Sequence, residues 1–141
     1  MQQQSQLMFE CLILGDSTAL GAGRAINATH IVRCDVLAVE GASAAQILTW
    51  PRAPKRYSTI IVAVGSNDAP TPPLRRALVR IRVGLAARRV IWLLPYARSN
   101  AAIVNSIAIS FADESLDLAQ FPSRDRVHPS RYEDLVKVLL K

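Results

Sequence analysis

The sequence predicts an α/β fold in which a parallel β-sheet is covered by helices on both faces. Apolar runs of strand length alternate with amphipathic segments of helix length along the 141 residues, which is the pattern of repeated βαβ units. The runs consist mainly of Val, Ile and Leu without polar alternation, as is typical of central strands in a parallel sheet. A chain of this length fits one core, so we expect a single domain over residues 1–141.

Strands and helices are predicted in strict alternation. We expect strands at residues 9–14, 31–39, 59–64, 90–94 and 107–111, and helices from 17 to about 27, at 43–49, 72–89 and 99–106, and from 130 to the end. Pro72 and Pro73 suit the first turn of a helix, and Ser130 with Glu133 has the spacing of a capping box. Right-handed crossovers then give a three-layer α/β/α sandwich around a five-stranded parallel, flavodoxin-like sheet.

The composition indicates a globular protein with a surplus of arginine. Half of the residues are hydrophobic and the formal net charge is +6, which is unlike a disordered chain or a disulfide scaffold. Six of the arginines lie between residues 75 and 89, where Leu74, Leu78, Ile81 and Leu85 recur at helical spacing. This spacing favours the solvated face of an amphipathic helix over a nucleic-acid interface. We therefore expect no nucleic-acid partner, although the positive charge could attract anionic substrates.

Two features bear on the compartment of the protein. Cys11 and Cys34 each lie inside an apolar stretch, so we interpret them first as buried thiols and second as a bridge between neighbouring strands. Residues 1–6 are polar without a cationic leader, and the apolar run 9–14 is too short for a signal peptide or a membrane span. We expect a cytoplasmic protein without a membrane partner, and the sequence does not indicate an oligomeric state.

A candidate nucleophile follows the first predicted strand in the segment Gly15-Asp16-Ser17-Thr18. A serine at this place projects its hydroxyl at the ligand-binding edge of the sheet. Its backbone N–H points outward from the positive end of a helix, where a developing oxyanion is stabilised. An Asp or Ser after a strand is also what an ordinary helix N-cap needs, and the segment taken alone favours that interpretation over a nucleophile.

A serine hydroxyl needs a base, and the chain offers two histidines. His30 has no acid at a useful offset, and we interpret it as a strand-edge residue. His128 stands three residues after Asp125, an offset that lets the carboxylate hold one ring nitrogen while the other accepts the proton of a serine. An incidental Asp and His on a surface loop is the alternative.

Two further segments could supply hydrogen-bond donors at the same edge. Gly41 follows the second predicted strand, where glycine lets the backbone approach a ligand closely. Asn67 follows the third strand in Gly65-Ser66-Asn67-Asp68, and its amide offers a donor while Asp68 braces the loop. Turn chemistry alone would explain either segment.

The ordered set of these segments resembles the sequence blocks of the SGNH (GDSL-type) hydrolase family over nearly the whole chain. The resemblance implies acyl transfer without a metal or organic cofactor. It places the nucleophile on Ser17 and the base on His128 with Asp125 as its partner. It places the oxyanion-hole donors on the Ser17 N–H, the Gly41 N–H and the Asn67 side chain. Asp16 and Asp68 then take supporting roles.

The chain also departs from the family pattern. Arg126 stands between Asp125 and His128 where a glycine is frequent, and the short segment before Asp125 leaves little room for a lid or a deep acyl pocket. We therefore expect hydrolysis of short-acyl esters, such as acetyl esters of a small molecule or a carbohydrate. An acyltransferase using the same residues, a non-catalytic flavodoxin-like phosphate or flavin binder, and a carbohydrate-binding module are the alternatives.

Overall fold

The computed structural model of the chain describes residues 8–51 and 55–141; residues 1–6, on which the localisation hypothesis rests, lie outside these ranges. The strands are β1 (Phe9–Gly15), β2 (Cys34–Ala38), β3 (Tyr57–Ala63), β4 (Ala87–Leu94) and β5 (Glu114–Asp117). The helices are α1 (Ser17–Ala28), α2 (Ala44–Thr49), α3 (Pro72–Val83), α4 (Arg98–Ser110) and α5 (Tyr132–Leu139), with a 3-10 turn at Leu118–Gln120.

The strands form one sheet in the order β2-β1-β3-β4-β5, and every neighbouring pair is parallel. This is the flavodoxin-like order, in which the chain first moves outward from β1 to β2, then passes back over β1 to β3 and continues outward to β5. The predicted fold class is confirmed. Because all strands point the same way, their carboxyl ends share one edge of the sheet.

Helices cover both faces of the sheet, and each face has its own core. On one face α2, α3 and α4 bury Ile47, Leu78 and Val104 against a sheet surface that includes Trp92. On the other face α1 and α5 pack against β1 and its neighbours, with Ile26 and Leu135 fully buried. Burial on both sides explains why the central strands are apolar along their length.

The last strand differs from the prediction. Residues 107–111 were expected to be a strand, but they belong to the end of α4 and the residue after it. Val104, Ile107 and Ala108 are buried with the three- and four-residue spacing of a helix. The fifth strand is β5, Glu-Ser-Leu-Asp, which lies at one edge of the sheet with a single neighbour and has exposed positions. An edge strand of this composition lacks the apolar run by which central strands were recognised.

The third helix is shorter than expected. It ends at Val83 with Gly84 as its C-cap, rather than at residue 89, and residues 87–89 already belong to β4. The helix begins as predicted, with prolines at its first positions. Leu85 continued the helical spacing, but glycine at a helix end is a strong stop signal. Arg75, Arg76 and Arg80 are exposed on α3.

The predicted capping box of the last helix is absent, and another helix has one. α5 begins at Tyr132 with Arg131 as its N-cap and no side-chain capping bond. The Ser130 N–H instead donates to the carbonyl of Pro122 at 2.8 Å, which ties down the preceding loop. At α2, Ser43 and Gln46 form the reciprocal capping bonds, since glutamine serves at this position as well as glutamate.

The two cysteines form a disulfide bond between β1 and β2. Cys11 and Cys34 are both buried and lie opposite each other in the parallel register of the two strands. The first interpretation, two free thiols, is therefore wrong. The second interpretation, a bridge between neighbouring strands, is the one that the structure shows.

The helices of residues 8–51 and 55–141 include none with the length and apolar character needed to cross a bilayer.

Candidate active site

The predicted site residues lie at the carboxyl edge of the sheet. Ser17 follows β1, Gly41 follows β2, Asn67 follows β3, and His128 lies in the loop between β5 and α5. His30, in contrast, lies in the turn after α1, before β2 begins. The strand order places the β1 loop between those of β2 and β3, which is where ligands bind in sheets of this topology.

A sharp connection from β1 to α1 presents Ser17 at this edge. Gly15 has a φ of +152°, and a Cβ atom there would lie 1.8 Å from the carbonyl oxygen of Ala63, so only glycine fits. Asp16 is the N-cap of α1, and its Oδ1 accepts a hydrogen bond from the Thr18 N–H at 3.0 Å. Ser17 is the first residue of the helix, so the capping role belongs to Asp16 and the Ser17 hydroxyl is available for other contacts.

The structure joins Ser17, His128 and Asp125 in one chain of hydrogen bonds. Ser17 Oγ lies 2.6 Å from His128 Nε2, and His128 Nδ1 lies 2.7 Å from Asp125 Oδ2. With the ring proton on Nδ1, that nitrogen donates to the carboxylate and Nε2 accepts from the serine hydroxyl. This is the arrangement in which a histidine can take the proton of a serine as the serine attacks.

The loop that carries the acid and the histidine is held by its own hydrogen bonds. Asp125 Oδ1 accepts from the N–H groups of Val127 and His128 at 2.9 and 2.8 Å. The hydroxyl of Ser123 donates to the His128 carbonyl at 2.6 Å and accepts from the Arg126 N–H at 2.8 Å. Ser123 was not singled out by the sequence, because a serine in a polar loop has no pattern that marks it.

The backbone of Arg126, between the acid and the histidine, has a conformation that glycine adopts more easily than arginine. Its φ is +60°, in the left-handed region that residues other than glycine and asparagine seldom adopt. The turn that lets Asp125 receive two backbone donors passes through this residue. The arginine therefore fits the loop at some conformational cost.

Two carboxyl groups near Ser17 have shifted pKa values of opposite sign. The hydrogen bond from His128, together with backbone donors, lowers the pKa of Asp125, so this group is ionised at neutral pH and can stabilise an imidazolium. Burial raises the pKa of Asp16 to about 6. Asp16 is 1% exposed, and its Oδ2 has no hydrogen-bond partner among the residues described.

The candidate oxyanion donors lie in two loops that are linked to each other. Gly41 has a φ of +76° with open space where a side chain would be, so its glycine serves the backbone turn. The Asn67 amide donates one hydrogen bond to the carbonyl of Ala42 at 3.1 Å, and its second N–H remains for another acceptor. Asn67 therefore reaches from the β3 loop to the residue that follows Gly41.

Asp68 and a buried asparagine hold the β3 loop on either side of Asn67. Both oxygens of Asp68 accept from the Ala44 N–H at 3.1 Å, at the start of α2. Asn100 of α4 is 6% exposed and donates to the carbonyls of Gly65 and Asp68 at 2.7 and 2.8 Å. Asn100 was missed at the sequence level, although a polar residue beside the apolar stripe of a helix is the signal that could have found it.

Comparison with known proteins gives matches at the level of structure. No protein-family model matches the chain, and no curated protein sequence matches it significantly. A Bacteroides ovatus protein assigned as a GDSL-like lipase superposes with a TM-score of 0.65 at 13% identity, covering 96% of this chain and 99% of the other. The chain has the fold of the SGNH (GDSL-type) hydrolases.

Two further solved structures agree with this fold. The C-terminal catalytic domain of Streptococcus pneumoniae peptidoglycan O-acetyltransferase A, with a methylsulfonyl adduct, gives a TM-score of 0.59 at 18% identity over 94% of this chain and 88% of that one. An alpha/beta hydrolase enzyme from the metagenome of Lake Arreo gives 0.63 at 14% over 93% of each. At such identities the likeness establishes the GDSL-type fold, and the chemistry has to be argued from the site.

Proposed function

We propose that this chain is a serine-dependent ester hydrolase that acts through an acyl-enzyme on short-acyl esters. The observation that carries the proposal is the hydrogen-bonded chain from Ser17 through His128 to Asp125, with distances of 2.6 and 2.7 Å, at the edge where this fold binds ligands. A helix cap would explain the position of Ser17 alone. It would not explain a histidine held by an ionised carboxylate against that hydroxyl.

In the first step Ser17 Oγ attacks the ester carbonyl carbon and His128 Nε2 takes the hydroxyl proton. Asp125 keeps the proton of the ring on Nδ1 and stabilises the imidazolium that forms. When the tetrahedral intermediate collapses, the bond between the carbonyl carbon and the leaving oxygen breaks. His128 gives its proton to that oxygen, so an alcohol departs and the acyl group stays on Ser17.

In the second step water reverses these roles. His128 takes a proton from the water, the resulting hydroxide adds to the acyl carbon, and the bond to Ser17 Oγ breaks as His128 returns a proton to it. The Ser17 and Gly41 N–H groups and the second N–H of Asn67 are the donors we assign to the oxyanion in both steps. Preorganised donors of this kind supply a large share of the rate enhancement in acyl transfer.

The openness of the site supports short acyl groups. The side chains of His128 and Asp125 are 37% and 54% exposed, so no segment within residues 8–51 and 55–141 covers them as a lid. A long acyl chain gains affinity mainly by burying its methylene groups, at about 0.8 kcal/mol for each. The exposed surface around His128 and Asp125 offers little such burial and gives long chains little advantage.

An acyltransferase is the second candidate, because the same openness would let an alcohol in place of water reach the acyl-enzyme. The two reactions use the same residues and differ only in the acceptor. Product analysis with an added alcohol separates them, since a transferase forms a new ester while a hydrolase releases the acid.

The proposal is tested with aryl esters from acetyl to octanoyl, comparing the purified protein with its Ser17→Ala variant. We expect turnover of the acetyl ester, a steep fall in kcat/KM towards octanoyl, and loss of nearly all activity in Ser17→Ala. Normal esterase activity in Ser17→Ala would contradict the nucleophile. A preference for octanoyl would contradict the short-acyl assignment, and a yellow or nucleotide-binding protein without esterase activity would favour the non-catalytic binder.

A further inference from the structure

A cavity of about 660 Å³ borders the loop that carries Asp125 and His128. It lies between the loop after β4, which contributes Tyr96 and Arg98, and the segment before α5, which contributes Phe121, Ser123 and Arg126. Its volume falls in the range of cavities that hold small organic ligands. None of the roles assigned so far uses it.

The leaving group of the first step must lie close to His128, and the cavity is lined in part by the loop that carries His128. His128 must give its proton to the leaving oxygen, so that oxygen has to lie within hydrogen-bond reach of Nε2. The cavity and His128 share one loop, because Ser123 lines the cavity and its hydroxyl donates to the His128 carbonyl at 2.6 Å. Two of the assigned oxyanion donors, the Gly41 N–H and the Asn67 side chain, lie in other loops, those after β2 and β3, and the third is the N–H of Ser17 itself.

The walls of the cavity combine a rigid apolar surface with positive charge. The Tyr96 hydroxyl donates to the Phe121 carbonyl at 3.0 Å and joins the two sides of the cavity. Arg98 donates to both oxygens of Asp117 at 2.9 Å and to the Pro95 and Tyr96 carbonyls, so its guanidinium is already engaged. The aromatic and proline side chains suit a ring-sized organic group.

Of the two arginines that line the cavity in the described part of the chain, Arg126 is the one whose guanidinium is not already engaged. It is exposed, and its guanidinium has no hydrogen bond or ion pair with any residue in 8–51 or 55–141. It also occupies a backbone position with a φ of +60°, where glycine would be less strained. A strained residue at the rim of a reactive site is a reason to look for a role in binding.

We propose that this cavity binds the leaving alcohol of an anionic ester, with Arg126 pairing with a carboxylate or phosphate on that alcohol. The guanidinium offers parallel N–H donors that match the two oxygens of such a group. The proposal rests on the proposed function, since it assigns the alcohol side of the same ester bond. In the reaction the carbon–oxygen bond breaks, and the anionic alcohol departs with the proton that His128 delivers.

The test uses two acetyl esters that differ in charge, para-acetoxybenzoate and its methyl ester. For each protein we take the ratio of kcat/KM for the anionic ester to kcat/KM for the neutral one, and comparison between variants then cancels the intrinsic reactivity of the esters. In Arg126→Asn, which tolerates the left-handed conformation, we expect the ratio to fall about fivefold, as for the loss of one exposed charge pair. Arg124→Asn removes the same charge from the same loop without lining the cavity, and its ratio should equal that of the wild type.

An unchanged ratio in Arg126→Asn would overturn the proposal, because it would show that Arg126 does not contact the anionic group. An equal fall in both variants would overturn it as well, because the effect would then come from the overall positive charge of the loop. A matched fall in kcat/KM for both esters in Arg126→Asn would assign the residue to loop structure and would overturn it too. All these outcomes can be measured only if the wild type hydrolyses the two esters. A wild type that hydrolyses neither ester and does not react with a fluorophosphonate would instead overturn the proposed function, and this proposal with it.

Discussion

Ser17 is placed by the two residues before it. Gly15 permits the close approach of β1 to the carbonyl of Ala63, and Asp16 caps α1 through its bond to the Thr18 N–H. Because the Asp16 side chain caps the helix, the Ser17 hydroxyl is free to contact His128, and its Oγ lies 2.6 Å from Nε2. The same short segment therefore serves as a helix start and presents a nucleophile candidate.

Asn67 is the residue whose removal tests the oxyanion assignment. In Asn67→Ala we expect kcat to fall by about 100-fold or more with a small change in KM, because the donor acts mainly on the developing negative charge. Ser66→Ala, in the same loop, is the control and should retain its kcat. A kcat within about threefold of the wild type in Asn67→Ala would contradict the assignment of Asn67 as an oxyanion donor.

Asp16 gives a prediction about stability and pH. Burial raises its pKa from 3.8 to about 6, so the folded protein holds a proton that the unfolded chain releases between these values. The free energy of unfolding should therefore fall as pH rises through this window, by roughly 3 kcal/mol in total.

Denaturant unfolding at about pH 4 and pH 7 measures this effect, and Asp16→Asn should remove it. Asp125, whose lowered pKa acts in the opposite direction, is present in both proteins, so its contribution cancels in the difference. Asp134→Asn on α5 is the control and should follow the wild type. Equal pH dependence in the wild type and Asp16→Asn would show that the buried carboxyl does not titrate in this window.

At the scale of elements, the central strands and the first helices followed the sequence closely. Short apolar runs identify strands that are covered on both faces, and Pro72 with Pro73 marked the start of α3 correctly. The edge strand β5 could not be found in this way, because it has only β4 as a neighbour and none of its four residues is buried. The end of α3 depended on choosing between Gly84 as a stop and Leu85 as a continuation.

The sequence indicated the candidate site residues themselves, but it did not indicate the residues that hold their loops in place. The segments around Ser17, Gly41, Asn67 and His128 stand at strand ends, and parallel topology alone brings such ends to one edge. Ser123 and Asn100 act through loop conformation and through a contact between α4 and the β3 loop. Such contacts depend on tertiary packing that a sequence pattern does not encode.

Asn100 tests the idea that α4 positions the Asn67 loop. Asn100→Ala leaves the carbonyls of Gly65 and Asp68 without their buried donor, which we expect to lower the free energy of unfolding by about 2 kcal/mol. If Asn67 shifts as a result, kcat falls by on the order of 10-fold or more while KM changes little. Asn105→Ala, on the same helix but away from that loop, is the matched control.

The free energy of unfolding comes from denaturant curves, and kcat is measured at a temperature where both variants remain folded. A destabilised Asn100→Ala variant with unchanged kcat would make this residue a structural one only. An unchanged stability would contradict the hydrogen bonds themselves.

For the whole molecule, the disulfide bond and the localisation hypothesis point in different directions. The sequence led us to expect a cytoplasmic protein, whereas persistent disulfides are typical of oxidising compartments. Cys11 and Cys34 join the two strands near their amino ends, away from the edge that carries Ser17. We therefore expect the disulfide bond to stabilise the fold and to have no direct role in the chemistry of the site.

Replacing both cysteines at once, in Cys11→Ala with Cys34→Ala, should lower the free energy of unfolding by about 3 kcal/mol and leave kcat unchanged. The estimate follows from the chain entropy that a cross-link of this sequence separation, 23 residues, removes from the unfolded state. Denaturant unfolding and a steady-state assay measure the two quantities. Two reactive thiols per chain in the unreduced, denatured wild type would show that the bond does not form.

Reaction with a fluorophosphonate probe tests most directly whether Ser17 is the nucleophile, because the labelled residue can be identified. Such probes phosphonylate a serine only when a neighbouring base and oxyanion donors activate it. We predict one adduct per chain by intact mass, located by peptide mass spectrometry on Ser17, with no adduct in Ser17→Ala and much slower labelling in His128→Asn. Labelling that persists in Ser17→Ala, or a folded wild type that does not react, would contradict the claim that Ser17 is the nucleophile of a serine hydrolase.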